Sequence, residues 1–219
     1  MNKKNINFEN EDIIVVDKPA GMPTHPSRMH QGDSLADAVA EYLHDPSFVF
    51  RAINRLDRET SGLVLIAKTR KSAAHLSELM RNNKIRREYE AVVIDGESLP
   101  DTNFTYSEQK LPDCGTIDAP IARLSDDDPH DIRRKVDFER GERAVTHYTV
   151  IERSTGCAKV RCVLDTGRTH QIRVHMAYIG HPIIGDSLYN PLSKPGDTAK
   201  LRAVKITIDD TSPLTFTAE

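Results

Sequence analysis

Short apolar runs separated by turn residues recur along most of the chain. Seven of them either contain mainly β-branched residues or alternate apolar with polar positions, which is typical of strands. These runs lie at residues 13–16, 62–67, 87–94, 145–151, 159–164, 204–208 and 214–218. Helices are predicted at residues 34–44, 72–83 and 169–180. Many strands with few helices predict an α+β domain with a mixed, mainly antiparallel sheet and flanking helices.

The helix ends carry their own signals. Ser34 is predicted to cap the first helix and Thr169 the third. Gly180 is predicted to end the third helix, and His181 with Pro182 prevents its continuation.

Residues 96–143 differ from the rest, because they are rich in Asp, Pro and Thr and lack apolar periodicity. They predict a long excursion from the sheet. No internal repeat and no Gly/Ser linker divides the chain, so residues 1–219 are predicted to form a single domain.

Composition limits the class of protein. The net charge of −3, with 38% hydrophobic and 29% charged residues, excludes a disordered tail and a polycationic nucleic-acid coat. No stretch approaches the roughly 18 apolar residues of a membrane span, so we expect a soluble, cytoplasmic protein. The 3 cysteines form no CxxC pair, which argues against a zinc site or a disulfide framework.

Positive charge is concentrated in one segment. Residues 68–87 contain seven basic residues and one acidic residue, whereas residues 1–50 contain four basic and eight acidic residues. Such a segment suits a phosphate backbone, and it equally suits a solvated helix face followed by a basic strand edge.

Two clusters contain residues suited to chemistry. In NRLDRETSG, Asp57 lies between Arg55 and Arg58, which would keep a nucleophilic carboxylate ionised, although a surface ion pair has the same pattern. In TGRTHQIRVH, Arg173 could reach a carboxylate from another part of the chain. The histidines of this second cluster are five residues apart with no Glu after the first, which disfavours a zinc hydrolase.

Four blocks occur in a fixed order: KPAGMPTHP, RLDRETSGLVLIAKT, REYEAVV and TGRTHQIRVHMAYIGHPIIGDSLY. Together they closely resemble the RluA-type family of RNA pseudouridine synthases. The resemblance runs from about Asp12 to Ala218 and includes IDAPIAR and ERAVTHY. It implies the catalytic domain of that family, with a central RNA-binding cleft.

The resemblance also implies residue roles. Asp57 matches the catalytic aspartate, and Arg55 matches the arginine that enters the RNA in place of the flipped nucleotide. Tyr89 matches the tyrosine that packs on the target uracil and is placed to assist proton removal. Arg173 matches the basic residue that pairs with the catalytic carboxylate, and Ile172 matches the apolar residue that lines the pocket.

The implied reaction breaks the bond between N1 of uracil and C1′ of ribose and rejoins the base through C5. No atoms enter or leave, so no cofactor and no metal is expected. Asp57 would attack C1′, attack C6 or deprotonate the ribose, and the sequence leaves all three open. It also leaves open which base removes the C5 proton, since a phenol such as Tyr89 is a poor base unless its pKa is perturbed.

The chain departs from the family pattern at two places. Many members have His where Asn54 stands, which bears on local RNA contacts. Where relatives commonly show His and Ala before a late strand, this chain has Leu201, Arg202 and Ala203. No S4-like RNA-binding module is expected, so the domain would bind RNA through six of its own side chains: Arg81, Lys84, Arg86, Arg87, Arg168 and His170.

The predicted function is isomerisation of specific uridines in transfer or ribosomal RNA by a monomer. One alternative is a catalytically weak RNA-binding or RNA-chaperone module of the same fold, which would not need Asp57. Another is a carboxylate-dependent glycosidase, which normally needs a second catalytic carboxylate.

Overall fold

The computed structural model describes residues 5–26, 32–45, 47–96, 109–128, 131–194 and 196–218. They group into two compact units, the first made of Met1–Glu88 with Arg202–Glu219 and the second of Tyr89–Leu201. The single domain over residues 1–219 and its central cleft stay predictions.

Twelve strands and three helices occur among the described residues. The strands are β1 (Ile6–Glu9), β2 (Ile13–Lys18), β3 (Arg51–Ala52), β4 (Ser61–Ala67), β5 (Ile85–Ile94), β6 (Cys114–Asp118), β7 (Ile121–Arg123), β8 (Arg134–Val136), β9 (Val145–Ser154), β10 (Cys157–Leu164), β11 (Leu201–Ile208) and β12 (Leu214–Thr217). The helices are α1 (Leu35–Tyr42), α2 (Arg70–Arg81) and α3 (Gln171–Tyr178). The chain enters the second unit within β5 and returns to the first at the start of β11.

The first unit contains the strand order β1-β2-β4-β11, with β3 on β4 and β12 on β11. β1, β2 and β4 are antiparallel, whereas β4 and β11 are parallel. The core of this unit joins apolar residues of the sheet to one face of α2, among them Ile13, Val15, Leu63, Leu65, Leu76, Leu79 and Ile206. The parallel pair confirms the prediction of a mixed, mainly antiparallel sheet.

Both helices of the first unit begin at a capping box. The Ser34 side chain accepts from the N–H of Asp37, which confirms Ser34 as the cap of α1. α2 begins two residues before the predicted start, because Thr69 and Ser72 cap its first turn reciprocally.

The second unit contains the strand order β5-β10-β9-β6, and β7 pairs with β8 in a separate two-stranded sheet. β6 corrects the prediction that residues 96–143 leave the sheet throughout, because it pairs with β9 from Cys114 to Asp118. Only Ile117 of β6 is buried, so the alternation that marks a half-buried strand is missing from its sequence.

Helix α3 buries six consecutive residues, from Gln171 to Met176. The predicted cap Thr169 is wrong: the residue before the helix is His170, which adopts a left-handed conformation (φ 58°) and makes no side-chain capping bond. Gly180 ends the helix as predicted, with φ 84°. No helix among the described residues is long and apolar enough to cross a membrane.

Gly62 lies where β4 comes closest to β11. Its φ is +110°, and a Cβ there would lie 2.2 Å from the carbonyl oxygen of Ala203. Both the backbone conformation and the space require glycine at this position.

We expect Gly62→Ala to destabilise the protein by at least about 2 kcal/mol, because strain and a backbone clash combine. Gly21→Ala is the control, since Gly21 also has a positive φ but nothing lies within 4 Å of its Cβ position. Urea unfolding should show the larger loss for Gly62, and equal losses would contradict the clash.

Candidate active site

In the first unit, Asp57 lies in the loop that connects β3 to β4. Its side chain is half-buried, whereas those of Arg55 and Arg58 are exposed. The Thr60 N–H donates to the carbonyl of Asp57 at 3.1 Å and closes a turn. Asp57 therefore stands at a defined bend of the chain.

A second loop, residues 19–24, holds the backbone on both sides of Asp57. Gly21 and Arg58 bond twice, through the Gly21 N–H and the Arg58 carbonyl (2.8 Å) and through the Arg58 Nε and the Gly21 carbonyl (3.0 Å). The Thr24 hydroxyl donates to the carbonyl of Leu56 at 2.7 Å. These bonds restrict the positions that the Asp57 carboxylate can take.

Asn54 anchors the start of the same loop. It is buried, its Nδ2 donates to the carbonyl of Leu63 at 3.1 Å, and its Oδ1 accepts from the N–H of Leu65 at 2.8 Å. The sequence departure at this position therefore acts on the attachment of the loop to β4.

Lys18 is a buried cation that bonds both the Asp57 loop and residues 19–24. Its ammonium donates to the carbonyls of Pro19 (2.9 Å), Met22 (2.8 Å) and Arg58 (3.2 Å). Burial lowers the pKa of Lys18 to about 8, while the negative charges of Asp57 and Glu59 act in the opposite direction. Lys18 was not among the predicted site residues, and the available signal was a lysine that ends an otherwise largely apolar strand.

Arg55 is exposed and influences His25, a residue of the first sequence block. Burial and then the positive charge of Arg55 lower the pKa of His25, whose ring contacts Phe50 edge-on with centroids 5.1 Å apart. An exposed guanidinium here is accessible to a large ligand, as the RNA-entering role requires.

Four of the six side chains predicted to bind the RNA also belong to the first unit. Arg81, Lys84 and Arg86 are exposed on the end of α2, the following turn and the start of β5. Arg87 is half-buried, and its Nε has no hydrogen-bond acceptor among the described residues. These placements suit anion binding, and the RNA contacts themselves stay predictions.

In the second unit, Arg173 forms a buried ion pair with Asp186. Its Nε donates to Oδ2 at 2.8 Å and its NH2 to Oδ1 at 2.6 Å, with side-chain exposures of 2% and 0%. Asp186 was missed, although it is the only acidic residue between Asp165 and Asp197 and a buried arginine needs an anion. The predicted pairing of Arg173 with Asp57 joins residues of different units and stays a prediction.

Tyr189 connects this pair to its surroundings. The Arg173 guanidinium carbon lies 5.3 Å from the centroid of the Tyr189 ring. The Tyr189 hydroxyl lies 2.7 Å from His170 Nδ1 and accepts from the N–H of Arg134 at 2.8 Å. His170, which is predicted to bind RNA, is buried, and its ring contacts the Tyr189 hydroxyl of the same unit.

The other predicted residues of the second unit differ in exposure. Tyr89 and Ile172 are buried, as residues that line a pocket and exclude water would be. Arg168 is exposed, and it bonds the carbonyl of Arg143 at 3.0 Å and the carboxylate of Glu142 at 2.5 Å. An RNA phosphate would compete with Glu142 for the guanidinium.

The remaining buried polar groups of α3 are satisfied. Gln171 donates to the carbonyl of Val145 at 2.9 Å and accepts from the Thr166 hydroxyl at 2.7 Å. Burial lowers the pKa of His175, whose ring nitrogens contact Thr146 and Ala119. In the described parts of the chain, no group of three or more His, Cys, Asp or Glu side chains is placed to hold a metal ion.

The chain matches the family model for RNA pseudouridylate synthase over residues 12–178. It belongs to this family. The RluA-type resemblance of the four blocks is thereby confirmed by an independent comparison.

Relatives of known name agree with the family. The chain is 39% identical to ribosomal large subunit pseudouridine synthase D of Pseudomonas aeruginosa over 186 residues, covering 83% of this chain and 52% of the relative. It is 38% identical to the uncharacterized RNA pseudouridine synthase YlyB of Bacillus subtilis over 191 residues, covering 85% of this chain and 57% of that relative. The chain thus spans about half the length of the curated relatives it matches.

The fold agrees with a solved member. Human RNA pseudouridylate synthase domain containing 1 superimposes with a TM-score of 0.74 at 23% identity, covering 98% of this chain and 82% of that one. The pseudouridine synthase fold is therefore confirmed.

Lys18 predicts a pH dependence of stability. Between its folded pKa of about 8 and its ordinary value of 10.5, the unfolded chain binds more protons, so stability rises with pH. The wild type should therefore gain stability relative to Lys18→Met between about pH 7 and about pH 9.5, as measured by urea unfolding. A difference that does not change with pH would refute the burial of a charged Lys18.

Asp186→Asn should destabilise the protein by about 3 kcal/mol or more, because it removes the buried charge that binds the Arg173 guanidinium through both carboxylate oxygens. Asp131→Asn is the matched control, since Asp131 also binds an arginine through both oxygens, but Arg133 is half exposed. Urea unfolding of the two variants should show a much smaller loss for Asp131, and similar losses would argue against the burial effect.

Proposed function

We propose that this protein isomerises uridine to pseudouridine in RNA, with Asp57 as the catalytic carboxylate. The observation that carries the proposal is the arrangement around Asp57: a half-buried carboxylate on a loop bonded to residues 19–24, beside the buried ammonium of Lys18. The family match over residues 12–178 supports it.

The reaction needs a fixed anion near the glycosidic bond. Asp57 must begin as a carboxylate whether it attacks C1′, attacks C6 or removes a ribose proton. Lys18 holds the Asp57 loop without entering the chemistry, because its ammonium donates to backbone carbonyls, that of Arg58 among them.

The uracil must leave its stack before it can rotate, which costs a few kcal/mol. Arg55 is exposed and would take the place of the extruded nucleotide. Tyr89 and Ile172, which are buried in the second unit, would contact the base and exclude water, and Arg173 would contribute its charge. Tyr89 is also the candidate for C5 proton removal.

Ribosomal RNA of the large subunit is the first substrate to test, since several relatives are named for it. Transfer RNA is the second. We expect the protein to act as a monomer in the cytoplasm. We also expect it to need no cofactor and no metal, because the isomerisation exchanges neither electrons nor atoms with a second molecule.

Asp57→Asn should abolish turnover and leave RNA affinity within a few fold, because the change removes charge but little volume. The assay is tritium release from ribosomal and transfer RNA transcripts that carry C5-tritiated uridine. Glu59→Gln is the matched control, since Glu59 lies two residues away and also influences Lys18, and it should keep most of the activity.

Each outcome has a distinct meaning. Release by the wild type and by Glu59→Gln only would establish the isomerase and the role of Asp57. Release by Asp57→Asn would overturn the site assignment. Tight RNA binding with no release by any variant on either transcript would favour the RNA-binding module instead.

A further inference from the structure

Arg202 lies at one of the two places where the chain departs from the family pattern. It begins the first-unit part of β11, opposite Ser61 at the start of β4, and the next pair is Ala203 with Gly62. Ser61 follows Asp57 by four residues, so this register fixes the backbone of Arg202 beside the end of the Asp57 loop.

The Arg202 guanidinium pairs with the carboxylate of Asp17. Asp17 is opposite Leu63 in the pairing of β2 with β4, and it directly precedes Lys18. The pair therefore lies at the end of β2, and because side chains alternate along a strand, Asp17 points to the opposite face of β2 from Lys18.

This ion pair is accessible. The exposed fraction of the side chain is 36% for Arg202 and 23% for Asp17. A half-exposed guanidinium that already binds one carboxylate is able to bind another anion of similar size, because the cost of removing water from it has been partly met.

We propose that Arg202 is a specificity-determining contact that exchanges Asp17 for a phosphate of the RNA. This inference rests on the proposed function. The exchange keeps the guanidinium neutralised in both states, and it leaves the negative charge of Asp17 close to the phosphate. Asp17 thus competes with the RNA, so only an RNA whose other contacts hold its phosphate at this place displaces it.

The competing explanation is a purely structural ion pair that fixes β2 to β11. The two explanations differ in the direction in which loss of Asp17 changes RNA binding. A structural pair is weakened by loss of either partner, and RNA binding then falls for both variants or for neither. Competition predicts that loss of Arg202 weakens RNA binding and that loss of Asp17 strengthens it.

The chain offers a matched control three residues along the same strand. Lys205 pairs with Glu88 at 3.0 Å, and the exposed fractions of their side chains are 38% and 22%. Because side chains alternate along a strand, Lys205 points to the opposite face of β11 from Arg202. Lys205→Ala removes one positive charge at nearly equal exposure on the other face.

The experiment measures the Kd of an unmodified large-subunit ribosomal RNA transcript at several salt concentrations. Arg202→Ala should raise Kd about tenfold and lower the slope of log Kd against log salt by about one. Asp17→Asn should lower Kd by a few fold, Arg202→Lys should keep the slope with an intermediate Kd, and Lys205→Ala should leave both unchanged. Urea unfolding of each variant checks that it is folded.

Equal weakening by Arg202→Ala and Asp17→Asn, or an effect of Lys205→Ala as large as that of Arg202→Ala, would overturn the inference. So would a wild type that does not bind the transcript. Tritium release by the wild type reports separately on the proposed function: absent release from both the ribosomal and the transfer RNA transcripts, with the expected order of Kd values, would reject the isomerase and retain Arg202 as an RNA contact.

Where turnover is measurable, Arg202→Ala should raise KM about tenfold with kcat within about twofold, because a phosphate contact is equally strong in the ground state and the transition state. A loss confined to kcat would contradict the assignment.

Discussion

Each of the two units buries a positively charged side chain, and the need to neutralise that charge organises the residues around it. Lys18 and Arg173 are among the largest fully buried side chains of the protein. Three carbonyls surround the Lys18 ammonium, with Asp57 and Glu59 in electrostatic reach, and Asp186 binds Arg173 through both oxygens. Because an uncompensated buried charge is very costly, both groups fix loops that would otherwise have few reasons to adopt one conformation.

The two cations have different consequences for chemistry. Lys18 joins the loop of the proposed catalytic carboxylate to residues 19–24, because its ammonium bonds the carbonyls of Arg58, Pro19 and Met22. Arg173 is oriented by its own anion and by the Tyr189 ring, so its guanidinium has a fixed direction before any RNA binds. The proposed isomerisation would rely on such preorganised charges.

The same loops would link the proposed catalysis to the proposed RNA contact of Arg202. The register of β4 with β11 depends on Gly62, and this register carries Arg202 to the end of the Asp57 loop. Asn54 attaches the beginning of that loop to β4. The two departures from the family pattern, Asn54 and Arg202, therefore lie at the two ends of the Asp57 loop. A change at either end affects the surroundings of Asp57 without replacing its carboxylate.

The sequence by itself determined the fold class, most of the strands, the cap of α1 and the family, because these depend on local periodicity, capping chemistry and motif order. It also located Asp57, Tyr89 and Arg173 by resemblance. Only the tertiary structure gave Lys18 its burial, Asp186 its pairing with Arg173, and Arg202 its pairing with Asp17. It also showed that β6 belongs to the sheet and that His170, not Thr169, precedes α3. Those facts depend on contacts between residues up to 185 positions apart, which no local pattern encodes.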